Sequence, residues 1–456
     1  MTHPFFAFGY AALSAAVVAA EWRRTRFRRA DLMSCLTLGF FLAIAAPSAA
    51  LYACIGSFNP SGSGQSRLLT VTLRDATLAH HQVLFLMTTG AWIAMLIGYR
   101  LAGGAPRIPP SKVIPASDFA SRLNLRITLL SWLAGLIAMN VLVRAVNQDT
   151  VWQAIGVIGT NYRLDWNSSN RGLLDSNAFA LLNELVPLVL LGFAVEGGFR
   201  WLRTVGSVEI LLLFALGTGS RRALLIAAVV LGLFWVNVHP KRLVWLIFVL
   251  CPLAFVVIIY GRGLFRFASG SKAHVYAEVS SRLVRDRVAY TASEVGISQV
   301  ESLRTLQWFD GPPRFGIDHA LSLVRMLPEQ SVLGFEFAPR FTRHATQMHL
   351  DEPNANDIPV GFIGSLWVDA FWAGLAVAGL FAFCLTRVDR WIDRYGGLSP
   401  AAWYARGCLG FLLAFPFLNT GSLDFTFSPA PVLVIGTCLL LILINRPLHL
   451  ANTPQC

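Results

Sequence analysis

Lysine is nearly absent from this chain. In 456 residues only Lys112, Lys241 and Lys272 carry an ammonium group, so the net charge of +12 is almost wholly arginine. Charge of either sign is scarce, at 14% of residues, against roughly a quarter in a soluble domain. That excludes an ordinary soluble fold and equally a solvated, disordered chain. The seven cysteines (Cys35, Cys54, Cys251, Cys384, Cys408, Cys438 and Cys456) are scattered and form no C-x-x-C pair. A disulfide framework and a zinc ribbon are excluded by that spacing, and the thiols read as core residues. There is no G-x-x-x-x-G-K-[ST] loop for nucleotide phosphates, no H-E-x-x-H zinc helix, and no D-x-D to hold a divalent metal on a nucleotide sugar. The Gly62-Ser-Gly-Gln-Ser66 stretch lacks the order of a hydrolase elbow. Basic and aromatic residues are not interleaved as nucleic-acid binding requires, so no nucleic-acid partner is expected. No repeat of 20–50 residues is visible.

What the chain has instead is apolar length. Hydrophobic residues make up 55% of it, in blocks of about 15–25, the length that crosses a bilayer as a helix. The expected spans are 5–20, 32–52, 82–98, 127–143, 178–195, 204–216, 223–236, 243–260, 358–385, 401–418 and 429–444. The first block has no basic stretch before it. Its arginines follow it, in Glu21-Trp-Arg-Arg-Thr-Arg-Phe-Arg-Arg29, so it reads as a retained anchor and not a cleaved signal. The positive-inside rule places that arginine run in the cytoplasm, which puts the N-terminus outside and, after about eleven spans, the C-terminus inside. The fold class is therefore an all-α polytopic membrane protein of three parts. Residues 1–260 hold eight spans, 261–358 form one long outer loop or lid, and 359–456 hold the last three spans. The lid carries eleven basic and eleven acidic side chains. Within it, 278–308 has an amphipathic pattern that predicts a helix lying at the membrane surface. Asp310-Gly-Pro-Pro313 predicts a turn, and 318–327 a short helix ended by Pro328.

The stretch Gly217-Thr-Gly-Ser-Arg-Arg-Ala-Leu-Leu225 organises the functional reading. It sets Arg221 and Arg222 in a hairpin between two apolar segments. Arginine at a membrane boundary is costly unless it snorkels or finds a partner, and its planar fork suits phosphate oxygens. The bland alternative is that both arginines anchor a helix end at the headgroups. Arg163 and Arg171 belong to the second outer loop, and Arg325, Arg340 and Arg343 to the lid. If they converge they form a cationic pocket for a lipid-linked phosphate or pyrophosphate, needing no metal and no cofactor; paired with lid carboxylates they would be structural. His344 and His349 are candidate proton acceptors for a sugar hydroxyl, or ordinary loop histidines. Glu184, Glu209 and Asp369 lie inside expected spans, where an acid must face the protein interior or a wet cavity; Asp369 lies within reach of the outer pocket.

Two segments carry a family resemblance. Gly219-Ser-Arg-Arg-Ala-Leu-Leu225, together with Ile358-Pro-Val-Gly-Phe-Ile-Gly-Ser-Leu-Trp-Val-Asp-Ala-Phe-Trp-Ala-Gly374 at the end of the lid, resembles the O-antigen (oligosaccharide repeat-unit) polymerases of the Wzy type. The lid segment Phe315-Gly-Ile-Asp-His-Ala-Leu-Ser-Leu-Val-Arg-Met-Leu-Pro328 is similar to the same family's loop. Where that family commonly has glycine after Ser-Arg, this chain has Arg222, so the motif arginine corresponds to Arg221. The resemblance implies a metal-independent, inverting glycosyltransferase of GT-C-like architecture in a bacterial inner membrane. It would join undecaprenyl-pyrophosphate-linked oligosaccharides at the periplasmic face, with membrane lipid and a chain-length regulator protein as further partners. Arg221, Arg222 and the loop arginines would hold the pyrophosphate, and His344, His349 or Asp369 would serve the acceptor. An O-antigen ligase shares this layout, a lipid-carrier flippase is a rival of another class, and a membrane acyltransferase is disfavoured because all nine histidines lie in loops or near span ends.

Overall fold

The computed structural model describes residues 3–27, 29–54, 72–73, 75–104, 222–238, 296–317, 319–321, 360–396, 400–423 and 429–444. These residues are helical with irregular connections, and no strand occurs among them. Helices α1 (His3–Thr25), α2 (Leu32–Phe40), α3 (Ala46–Cys54), α4 (Leu78–Leu101) and α5 (Arg222–Val238) come first. They are followed by α6 (Ile297–Trp308), α7 (Phe362–Ala370), α8 (Gly374–Gly396), α9 (Pro400–Leu412) and α10 (Pro429–Ile444). Among the described residues, five helical stretches are long and apolar enough to cross a membrane: Pro4–Thr25, Leu32–Ala53, Leu78–Leu101, Phe362–Gly396 and Ala401–Thr420. The protein is therefore membrane-embedded and polytopic.

Local chemistry explains where these helices start and bend. Asp31 caps α2: its carboxylate accepts the Ser34 N–H at 2.8 Å, and the Asp31 N–H donates to Ser34 Oγ at 3.1 Å. Thr77 and His80 make the same reciprocal cap on α4. Two wide π-helical turns interrupt the spans, Phe41–Ala45 after α2 and Leu413–Phe417 after α9. Each has a proline at hand. Pro416 lies within the second, and Pro47 lies two residues after the end of the first; neither can donate the bond a regular turn needs.

The chain divides into two compact units. One comprises Met1–Ala105, Ser281–Arg387 and Gly410–Pro429. In it α1 packs on α3, α2 on the second π-turn, and α6 on both α7 and α4. Helix α8 runs close along α4: a β-carbon on Gly98 would strike the carbonyl oxygen of Gly379, so the two backbones touch where side chains would normally separate them. The other unit comprises Pro106–Ser280, Val388–Leu409 and Ala430–Cys456. There Arg406, 2% exposed, donates through Nε to Asp389 at 2.7 Å and through Nη2 to Asp393 at 3.2 Å. The Trp403 ring packs edge-on against Phe234.

Two expectations change in detail. The span expected over 358–385 falls within the apolar stretch Phe362–Gly396 but is not one regular helix: α7 ends at Ala370, Phe371 takes φ +49°, and a short 3-10 turn (Phe371–Ala373) leads into α8. Of the amphipathic surface helix expected over 278–308, residues 278–295 lie outside the described residues, and Ile297–Trp308 is a helix covered on all sides from Ser298 to Leu306. Hydroxyls account for the difference. Ser298, Ser302 and Thr305 recur at helical spacing and turn their apparent polarity inward: each donates to a backbone carbonyl, to Leu418, Ser298 and Glu301 respectively. A polar stripe satisfied in this way can pack like an apolar one.

Candidate functional site

The site is built on α7. Gly361 opens the helix at φ +73°, a conformation favouring glycine, and a β-carbon there would fall 2.5 Å from Ser302 Oγ. Its N–H donates to the Thr420 carbonyl at 3.1 Å, and Ser302 Oγ accepts the Gly364 N–H at 3.0 Å. The Gly-x-x-Gly pattern of residues 361–364 thus lets the hydroxyl face of α6 approach the first turn of α7. With that turn fixed, Ser365 and Asp369, four residues apart, share one face of the helix.

The other end of α7 is closed by the turn after Pro313. The Arg314 N–H donates to the Val368 carbonyl and the Phe315 N–H to the Asp369 carbonyl, each at 3.0 Å. These bonds satisfy carbonyls that a helix end leaves open. Gly316 N–H donates to Asp369 Oδ1 at 3.1 Å. The chain then turns helical over Ile317 and His319–Leu321, which brings His319 over the same face. His319 Nε2 lies 3.2 Å from Asp369 Oδ2 and 3.1 Å from Ser365 Oγ. The ring leans on Phe417, 6.1 Å between centroids, at the end of the second π-turn.

This geometry selects among chemistries. A serine nucleophile would need the hydroxyl and the acid on opposite ring nitrogens; here both meet Nε2, so an acyl-enzyme triad does not fit. A carboxylate only accepts, so its contact with Nε2 calls for a proton there; in the neutral ring the lone pair is then on Nδ1, which has no partner among the described residues. The imidazole is partly exposed while the Asp369 and Ser365 side chains are buried behind it. The arrangement is a proton acceptor whose tautomer and orientation are set from within. No group of three or more His, Cys, Asp or Glu side chains among the described residues is placed to hold a metal.

A second polar group lies on α6. Glu301 and Arg304 are both buried, with Oε2 and Nη1 3.8 Å apart, and Glu301 Oε1 and both polar atoms of Gln299 find no partner among the described residues. Burial, opposed by the Arg304 charge, pushes the Glu301 carboxyl up to about 7. The folded protein therefore holds a proton that the unfolded chain, with an ordinary glutamate, releases. Between an ordinary value of 4.5 and about 7, stability falls as pH rises; above that the loss is complete. Glu301→Gln is expected to flatten this dependence and raise the melting temperature at pH 8. Thermal unfolding of both proteins at pH 5 and pH 8 checks it.

Of the residues proposed from sequence, Asp369 is placed here and lies in the interior. Arg222 heads α5. Arg221, Arg163, Arg171, Arg325, Arg340, Arg343, His344 and His349 lie outside the described residues, as do Glu184 and Glu209. His319 lies in the segment Phe315–Pro328, and nothing in that segment's sequence alone singles it out. The available signal was Asp369 itself, since a buried acid requires a partner and the nearest upstream histidine in a turn-rich segment was a candidate. Comparison of the chain with protein-family models, with curated proteins and with solved structures finds no match.

Proposed function

We propose that this protein polymerises undecaprenyl-pyrophosphate-linked oligosaccharide repeat units, in O-antigen or exopolysaccharide synthesis. It would work at the periplasmic face of a bacterial inner membrane through about eleven spans of GT-C-like arrangement, with the N-terminus periplasmic and the C-terminus cytoplasmic. The observation that carries the reading is the His319–Asp369 pair, a proton acceptor at one end of a helix inside a membrane bundle. It joins the resemblance of residues 219–225 and 358–374 to repeat-unit polymerases.

In this reading His319 Nδ1 takes the proton of an acceptor sugar hydroxyl, adding a base to the candidates His344 and His349. The hydroxyl oxygen attacks the anomeric carbon of the growing chain from the face opposite its pyrophosphate. The glycosidic bond forms with inversion as the carbon–oxygen bond to the carrier breaks, and the lipid pyrophosphate leaves with the electron pair. Arg221, Arg222 and the arginines at 163, 171, 325, 340 and 343 would stabilise that developing charge. Aspartate 369 stabilises the imidazolium formed.

Polysaccharide ladders from the native host, with and without the gene, test the reading. Collapse to a single anchored repeat unit is expected. Long glycans left on the carrier, with none attached to the lipid anchor, would assign a ligase. An unchanged ladder would overturn both in favour of transport or of another polymer.

A further inference from the structure

The loop that straps α7 also carries the most exposed aromatic side chain near the site. Phe315 is 77% exposed, and its backbone sits at φ +51°, a region that a bulky side chain avoids. Trp308 before it and Ile317 after it are each more than half exposed. Slack does not explain this exposure. The main chain is pinned by the Arg314 and Phe315 bonds to α7 and by the Ile317 N–H to the Arg314 carbonyl at 3.1 Å. The loop is held in a strained shape that turns Phe315 and Ile317 outward from the described residues.

The surroundings say what these side chains meet. The Phe309 ring rests against Phe371, 6.0 Å between centroids, and the next residue, Trp372, is exposed at 48%. From Trp372 the exposed surface continues along α8 through Val377 and Leu380. That helix belongs to a stretch long and apolar enough to cross a bilayer, so its exposed apolar stripe faces acyl chains. The patch therefore lies where a lipid-facing stripe ends. Its composition, tryptophan and phenylalanine with Asp310 and Arg314 between, is that of the boundary between acyl chains and headgroups.

We propose that the Trp308–Ile317 loop is a membrane-dipping clip, with Phe315 and Ile317 inserted among phospholipids at the headgroup–acyl boundary. Because His319 follows Ile317 by two residues, the clip sets the imidazole at headgroup depth, where the polar part of any lipid-linked substrate lies. The proposal does not rest on the glycan reading and would stand if that reading failed.

The test places the photo-crosslinker p-benzoylphenylalanine at position 315 of the full-length protein, in nanodiscs of phosphatidylethanolamine and phosphatidylglycerol. The same probe at position 380 calibrates the yield on the lipid-facing stripe. After irradiation, intact-mass analysis is expected to show a one-phospholipid adduct at 315 in yield comparable to that at 380. Lipid labelling at 380 with none at 315, or a crosslink from 315 to a second copy of the chain or to another protein, would overturn the clip. A probe at 315 that abolishes folding would be replaced by one at Ile317, read against the same outcomes.

Discussion

On the polymerase proposal, replacing His319 by alanine is expected to slow glycan transfer by about 10²–10⁴-fold, the usual contribution of a positioned general base. The measurement is turnover of lipid-linked repeat units by the full-length protein in nanodiscs, with substrate KM determined alongside kcat. Geometry directs the loss to kcat. His319 is partly exposed while its partners are buried, so alanine removes the imidazole and leaves the walls of the site in place. Asp369→Asn separates positioning from packing. Its amide is nearly isosteric and still accepts from Gly316, but its NH₂ group can also donate to Nε2. That would draw the ring proton to Nδ1 and block the basic nitrogen. Asp369→Asn is therefore expected to lower kcat with the protein folded and KM near that of the unaltered protein. Full activity in both variants would remove His319 from the chemistry and return the choice of base to His344 and His349.

The parts of this molecule legible in the sequence are those governed by apolar length. The stretch expected over 429–444 is a helix with those bounds, and those expected over 32–52 and 401–418 extend by one to two residues at their ends. Block length alone missed the two π-turns and the Phe371 break, because each is set by neighbours: a proline beside one turn and within the other, and a crowded crossing where Gly374 lies against the carbonyl of Leu366. The polar helix α6 was misread for the same reason. Periodicity reports that Ser298, Ser302 and Thr305 share a face, but it cannot say whether water or a backbone carbonyl satisfies that face. The candidate site was half legible. Asp369 stood out because an acid in an apolar run is expensive, whereas the identity of its partner depended on a turn that returns the chain from Pro313 to the far end of α7.

Removing Arg24 should destabilise the protein by about 3–5 kcal/mol, the usual cost of leaving buried charges unpaired. In the sequence Arg24 is one of five arginines that read alike, a cytoplasmic charge cluster. In the structure it is set apart. Its guanidinium donates to both oxygens of Glu21 at 2.8 and 2.9 Å and to both oxygens of Asp31 at 2.5 and 2.8 Å. It also reaches Ser34 Oγ at 2.7 Å and the Tyr99 hydroxyl at 3.0 Å, with that ring below it. One planar fork thus ties together α1, the cap of α2 and the last turn of α4, a set of contacts an ammonium could not reproduce. Burial alone would raise the Asp31 carboxyl, yet Arg24 and Ser34 hold it below the usual carboxylate range, so the stabilisation is present at neutral pH and is lost as pH falls through that depressed value. Arg24→Met is expected to lower the melting temperature and the detergent-soluble yield, and Arg24→Lys to do so by a smaller amount. Arg23→Ala, one residue away and exposed, should leave both unchanged. Equal melting of Arg24→Met and Arg23→Ala would mean that the network contributes no net stability and that Arg24 acts only through its charge, as its neighbours in the run do.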